Sequence, residues 1–112
     1  MRNRRIEVRM LCADVVDAGW TGEDGGKQKA SALLEDISPS GACLQFETAV
    51  PLGVQLHWVC GDQEFTGIVR YCAYREIGYF VGVQFEPESK WSKKAFKPQH
   101  LLDLGKLARK AR

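Results

Sequence analysis

Between residues 7 and 85 this chain is built from short runs in which apolar and polar side chains alternate. Alternation with a period of two puts successive side chains on opposite faces of an extended segment, the signature of a half-buried β-strand. The first predicted strand covers residues 7–16 and stops at the break Asp17-Ala18-Gly19-Trp20, with a Gly-rich connection over 19–27. A second strand is expected over 28–38. A third follows over 42–47, where Ala42, Leu44 and Phe46 alternate with Cys43, Gln45 and Glu47. Pro51-Leu52-Gly53 marks a turn, and the next strand, 54–60, places Val54, Leu56 and Trp58 on one face. Gly61-Asp62 is a short hairpin signal leading into a strand over 64–74, and residues 75–78 turn the chain into a last strand over 79–85. Several short strands punctuated by Gly and Pro predict an all-β barrel or sandwich. Beyond Pro87 the pattern changes. Pro98 is well placed to open a helix, and Leu101, Leu104, Leu107, Ala108 and Ala111 recur at helical spacing. The expected organisation is a basic N-terminal segment over 1–9, a barrel over 10–87 and a C-terminal helical segment over 88–112.

Length and composition narrow the class. With 112 residues and 45% hydrophobic content the chain can fill one core and not two. It contains no apolar run approaching about 18 residues, and its basic start leads into no apolar stretch, so neither a membrane span nor a secretory signal is expected. A cytoplasmic location follows as an expectation. Cys12, Cys43, Cys60 and Cys72 are far apart and form no C-x-x-C pair, which disfavours a zinc site and favours free, buried thiols.

The net charge is only +2, but it is unevenly distributed. Four arginines against Glu7 make residues 1–9 basic, and residues 90–112 are more basic still. The stretch 10–89 is acidic, with twelve Asp or Glu against four Lys or Arg. Basic ends on an acidic body can gather an anionic ligand.

Two short motifs carry candidate chemistry. In Asp36-Ile37-Ser38-Pro39-Ser40-Gly41 the Ser-Pro-Ser-Gly portion suits a type I turn, with Gly41 as the low-strain residue closing a three-residue hairpin loop. Strand parity sets Asp36 and Ser38 on one face, opposite Leu33, Glu35 and Ile37. If Leu33 and Ile37 face the core, the carboxylate and hydroxyl stand together outside, able to accept from a guanine N1–H and N2–H₂ edge. The second motif, Arg4-Arg5-Ile6-Glu7-Val8-Arg9, holds arginines whose planar forks can grip phosphate oxygens, bind guanine O6 and N7, or stack on a base. Read singly, a tight hairpin explains the Ser, Pro and Gly of the first motif but not its Asp36, and the second reads as a solvated arm.

Together, R-x-x-x-R (Arg5, Arg9) followed by D-x-S-x-x-G (Asp36, Ser38, Gly41) resembles the signature of PilZ domains, bacterial receptors for cyclic di-GMP. The segments 34–44, 67–71 and 81–85 are similar to strands of that family, and the likeness spans roughly residues 2–104. The resemblance implies a six-stranded antiparallel PilZ-type β-barrel with a C-terminal α-helix. It also implies that Arg5 and Arg9 bind the phosphates and guanines, that Asp36 and Ser38 read a guanine edge, and that Gly41 shapes the turn beneath. Arg4 would assist, and Tyr71 occupies a position where relatives often carry an aromatic near the ligand. The expected protein is a non-catalytic receptor with no cofactor, whose ligand orders the arginine-rich N-terminal segment and so alters contact with a downstream protein.

Two other readings compete: a PilZ-fold interaction module indifferent to nucleotide, and a small nucleic-acid-binding barrel using its basic ends. The acidic strands between those ends disfavour nucleic acid as a partner. An enzyme is disfavoured because His57 and His100, the two histidines, lie beside no nucleophile or carboxylate motif. His57 is expected to be a surface or structural histidine.

Overall fold

The computed structural model describes residues 9–86, which form six strands: β1 (Met10–Thr21), β2 (Lys27–Ser38), β3 (Gly41–Phe46), β4 (Gln55–Cys60), β5 (Gln63–Arg75) and β6 (Gly78–Phe85). All neighbouring strands run antiparallel, and they close into a barrel in the order β1-β2-β3-β6-β5-β4. Closure comes from a short ladder between β1 and β4, Asp17 to Val59 through Gly19 to His57. It leaves no unpaired edge strand among the six. The expected C-terminal helix, together with Arg4 and Arg5, lies outside the described residues.

Alternation produces the core as the sequence predicts. Leu34, Leu44, Leu56, Trp58 and Val81 have no solvent exposure, with Phe46, Val16, Val50 and Val69 nearly as buried. Trp58 stacks on Phe65 at 5.5 Å and lies 5.7 Å from Phe85. Cys12, Cys43, Cys60 and Cys72 are free thiols, the first three buried. Burial, reinforced by the charge of Asp14, pushes Cys12 up to about 12 and Cys60 up to about 11, so both stay protonated at neutral pH. Asp14 itself is buried, and its carboxylate accepts from the Cys60 thiol at 3.6 Å.

The first hairpin departs from expectation. β1 runs through the Asp17-Ala18-Gly19-Trp20 break to Thr21, and the connection shrinks to residues 22–26. Ala18 is small enough to bury inward, and Trp20 gains an edge-on contact with Phe46 at 5.9 Å, so extending the strand costs little. The loop is held by Gly22 N–H to the Gly26 carbonyl at 2.8 Å and by Gly26 N–H to the Asp24 carboxylate at 2.9 Å. The β4–β5 hairpin is the expected one. Its two-residue loop has Gly61 at φ 65°, the first-position glycine of a type II′ turn.

Candidate functional site

Two β-bulges place side chains on one region of the barrel's outer surface. The β2–β3 register shifts between Leu34 and Asp36 and the β5–β6 register between Val69 and Tyr71, whereas the β1–β2 shift between Leu11 and Asp14 leaves the inward–outward alternation of β1 intact. In β2 and β5 the bulge spends two residues opposite one and resets the alternation beyond it. In β2 the result is that Leu34 and Ile37 both point inward, while Glu35 and Asp36 both turn outward and Ser38 follows on the same side. The expected pairing of Asp36 with Ser38 therefore holds. The expectation that Leu33 and Glu35 oppose them does not: Leu33 sits in the outer row between Val15 and Gln45, and Glu35 stands beside Asp36.

The β2–β3 turn also differs in detail. Ser38 pairs with Gly41, so the loop has two residues, Pro39 and Ser40, and neither has positive φ. Gly41 is not in the left-handed region either. It must be glycine for a different reason: a Cβ there would lie 2.5 Å from the Val83 carbonyl oxygen, where β3 presses against β6. The Ser38 hydroxyl donates to the Gly41 carbonyl at 3.3 Å, closing the hairpin beside the cleft.

Arg9, Asp36, Ser38, Gly41 and Tyr71 line one open cleft of about 270 Å³, floored by β3 and β6 around Ala42, Gly82 and Val83. Arg9 enters just ahead of β1 and lies 3.9 Å from the Asp36 carboxylate; its side chain is 62% exposed and that of Asp36 only 15%. Arg9 is thus an exposed cation over a half-buried carboxylate. Burial raises the Asp36 pKa and the Arg9 guanidinium lowers it, with burial the larger effect. Burial, then the adjacent Asp36 charge, also raises Glu35. A wider depression of about 600 Å³ crosses β2 and β3 near Lys29, Ser31 and Glu47. The smaller cleft is the chemically organised one, because only it combines a guanidinium, a partly desolvated carboxylate, a hydroxyl and an aromatic ring.

Tyr71 owes its position to Gly82, which nothing in the local sequence distinguishes from an ordinary strand residue. A Cβ at Gly82 would fall within the Tyr71 ring, so the ring lies flat across the bare backbone. It also covers Cys43, to whose sulfur the phenol donates at 3.8 Å, which is why this outward-facing thiol is buried. The phenol pKa is raised by burial first and by Cys43 next. One ring face rests on the sheet and Tyr71 is 45% exposed, leaving a surface on which a planar group can stack. Gly82→Ala is expected to lift the ring and uncover Cys43, accelerating alkylation of that thiol in a native-state mass-spectrometric assay. An unchanged rate at Cys43 would show that the glycine does not hold the ring in place.

His57 is 48% exposed and 3.5 Å from Glu64 on the neighbouring strand, away from the cleft, as a surface histidine should be. Among the described residues no cluster of three or more His, Cys, Asp or Glu is arranged to hold a metal ion. No helix among them is long and apolar enough to cross a membrane.

Fold and site together define a closed six-stranded antiparallel β-barrel carrying a polar cleft on its outer wall, with donors, acceptors and an aromatic platform converging on it. No protein-family model matches the chain, and no curated protein matches it.

Proposed function

We propose that the chain is a PilZ-type receptor that binds cyclic di-GMP in this cleft and does not catalyse a reaction. One observation carries the reading. Residues far apart in sequence line a single surface: Arg9, Asp36, Ser38 and Gly41, the described members of the R-x-x-x-R and D-x-S-x-x-G motifs, together with Tyr71, the aromatic that the family resemblance sets near the ligand. The half-buried Asp36 carboxylate would accept the N1–H and N2–H₂ donors of a guanine, with Ser38 serving a second polar atom. Tyr71 would take a base on its exposed face. Arg9, now over Asp36, would turn to a phosphate, a better partner for its planar fork than a carboxylate 3.9 Å away. Arg5, and Arg4 before it, would add cationic donors to the same dianion. Moving those arginines onto the ligand would reposition the N-terminal segment, and that change is the signal a downstream protein would read.

The deciding experiment is isothermal titration of the wild-type chain with cyclic di-GMP, followed by a melting curve. Saturable binding is expected. At a free ligand concentration about 100 times Kd it should contribute about 2.7 kcal/mol of stability, several degrees for a domain of this size. GTP and cyclic AMP should leave the melting temperature unchanged. Absence of heat and of any shift with cyclic di-GMP would overturn the reading in favour of a barrel that works through protein contacts alone.

A further inference from the structure

The bulge in β5 does more than place Tyr71. Regular alternation after the inward Val69 would send Arg70 outward and Tyr71 into the barrel. Instead Arg70 and Tyr71 are consecutive exposed residues, and inward packing resumes at Cys72. Both side chains therefore face the cleft, whose lining includes Arg70 and Gln84 as well as Arg9 and Asp36. The Arg70 Nε–H donates to the Gln84 Oε1 at 2.9 Å, which orients the guanidinium through its inner nitrogen and leaves the two terminal NH₂ groups directed away from that bond. Among the described residues no carboxylate lies within ion-pair distance of Arg70, whereas Arg9 has Asp36. The two cations also stand on opposite sides of the cleft. Arg9 adjoins β1, Arg70 is on β5, and β2, β3 and β6 lie between them.

We propose that Arg70, positioned by Gln84, is a second phosphate-binding residue across the cleft from Arg9, so that the cleft meets a ligand carrying two phosphate charges with two guanidinium groups. The proposal rests on the nucleotide-binding reading and deepens it. Arg9 is exposed and lies beside Asp36 before the ligand arrives; Arg70 is already oriented by Gln84 and, among the described residues, has no carboxylate to give up. Preorganisation of that kind lowers the ordering cost of binding. It also assigns Gln84 a task, since a neutral amide can orient a guanidinium without cancelling its charge.

The test titrates wild type, Arg70→Ala, Arg70→Lys and Gln84→Leu with cyclic di-GMP, and with inorganic pyrophosphate as a probe free of any base. Arginine side-chain ¹⁵N resonances are followed in parallel. Charge-assisted contacts of this type predict cyclic di-GMP affinity about 10- to 100-fold weaker in Arg70→Ala, with partial recovery in Arg70→Lys because the charge returns without the fork. Gln84→Leu should weaken binding by less and broaden the Arg70 Nε signal. If wild type binds cyclic di-GMP and Arg70→Ala binds it equally well, this inference falls and the receptor reading stands. If wild type ignores cyclic di-GMP but pyrophosphate shifts the Arg70 signal and loses affinity in Arg70→Ala, the receptor reading falls while the phosphate site survives. Binding of neither probe overturns both.

Discussion

Asp36→Asn is expected to abolish the cyclic di-GMP-induced rise in melting temperature while making the unliganded barrel more stable at neutral pH. The loss follows from acceptor chemistry. An ionised carboxylate can accept both donors of a guanine edge, whereas the amide offers one acceptor and one clashing donor. The gain follows from linkage. Burial outweighs Arg9 and raises the folded-state pKa of Asp36. From about 3.9, the ordinary aspartate value, up to that raised value, the folded chain holds more protons than the unfolded one. Stability therefore falls as pH rises through this window and stays lower above it. Asparagine removes that cost and the repulsion that Asp36 imposes on Glu35. The advantage of the variant should shrink as pH is lowered through the window, where wild-type Asp36 becomes neutral. Melting curves of both proteins between neutral and acidic pH, with and without ligand, test the two effects separately. A variant that still responds to cyclic di-GMP would remove Asp36 from the site; one less stable than wild type at neutral pH would mean that the Arg9 contact outweighs burial.

The largest loss of stability is expected from Trp58→Ala, which should cost about 3–5 kcal/mol in urea denaturation. Trp58 has no solvent exposure and joins Phe65 and Phe85 in the aromatic cluster between β4, β5 and β6. Its removal leaves a cavity that strands locked in a closed barrel cannot collapse to fill. Folded domains are stable by only about 5–15 kcal/mol, so much of this barrel's margin would go. Trp58→Phe should cost far less than Trp58→Ala, for a reason beyond volume. The indole Nε1–H is buried with no hydrogen-bond partner among the described residues, and phenylalanine discards that unsatisfied donor. Equal losses in the two variants would mean that packing at this position is not limited by the cavity. The site also depends on this cluster, because Phe85 is the inward neighbour of Gln84 on the strand that floors the cleft.

Local pattern along the chain suffices for the set of strands and the faces most of them bury. Leu44 and Phe46 alternate with Gln45, Leu56 and Trp58 with His57, and these periods survive intact because regular pleating needs only local geometry. Gly61-Asp62 likewise announced its hairpin, since a positive φ at glycine is a local property. Asp36, Ser38 and Arg9 were legible as candidates because their residue types and spacing carry chemistry wherever they stand. The remainder depends on contacts between strands. The bulges at Glu35-Asp36 and Arg70-Tyr71 arise from registers with neighbouring strands, so parity counted along one strand misplaced Leu33 and Glu35 and gave no reason to set Arg70 beside Tyr71. The reasons for glycine at 41 and 82 lie in partners roughly forty and ten residues away, the Val83 carbonyl and the Tyr71 ring, which come close only when β3, β6 and β5 lie side by side. A single strand's sequence encodes its own pleat; which backbone or ring presses on it is set by the sheet's closure, and that closure is what turned dispersed polar residues into one cleft.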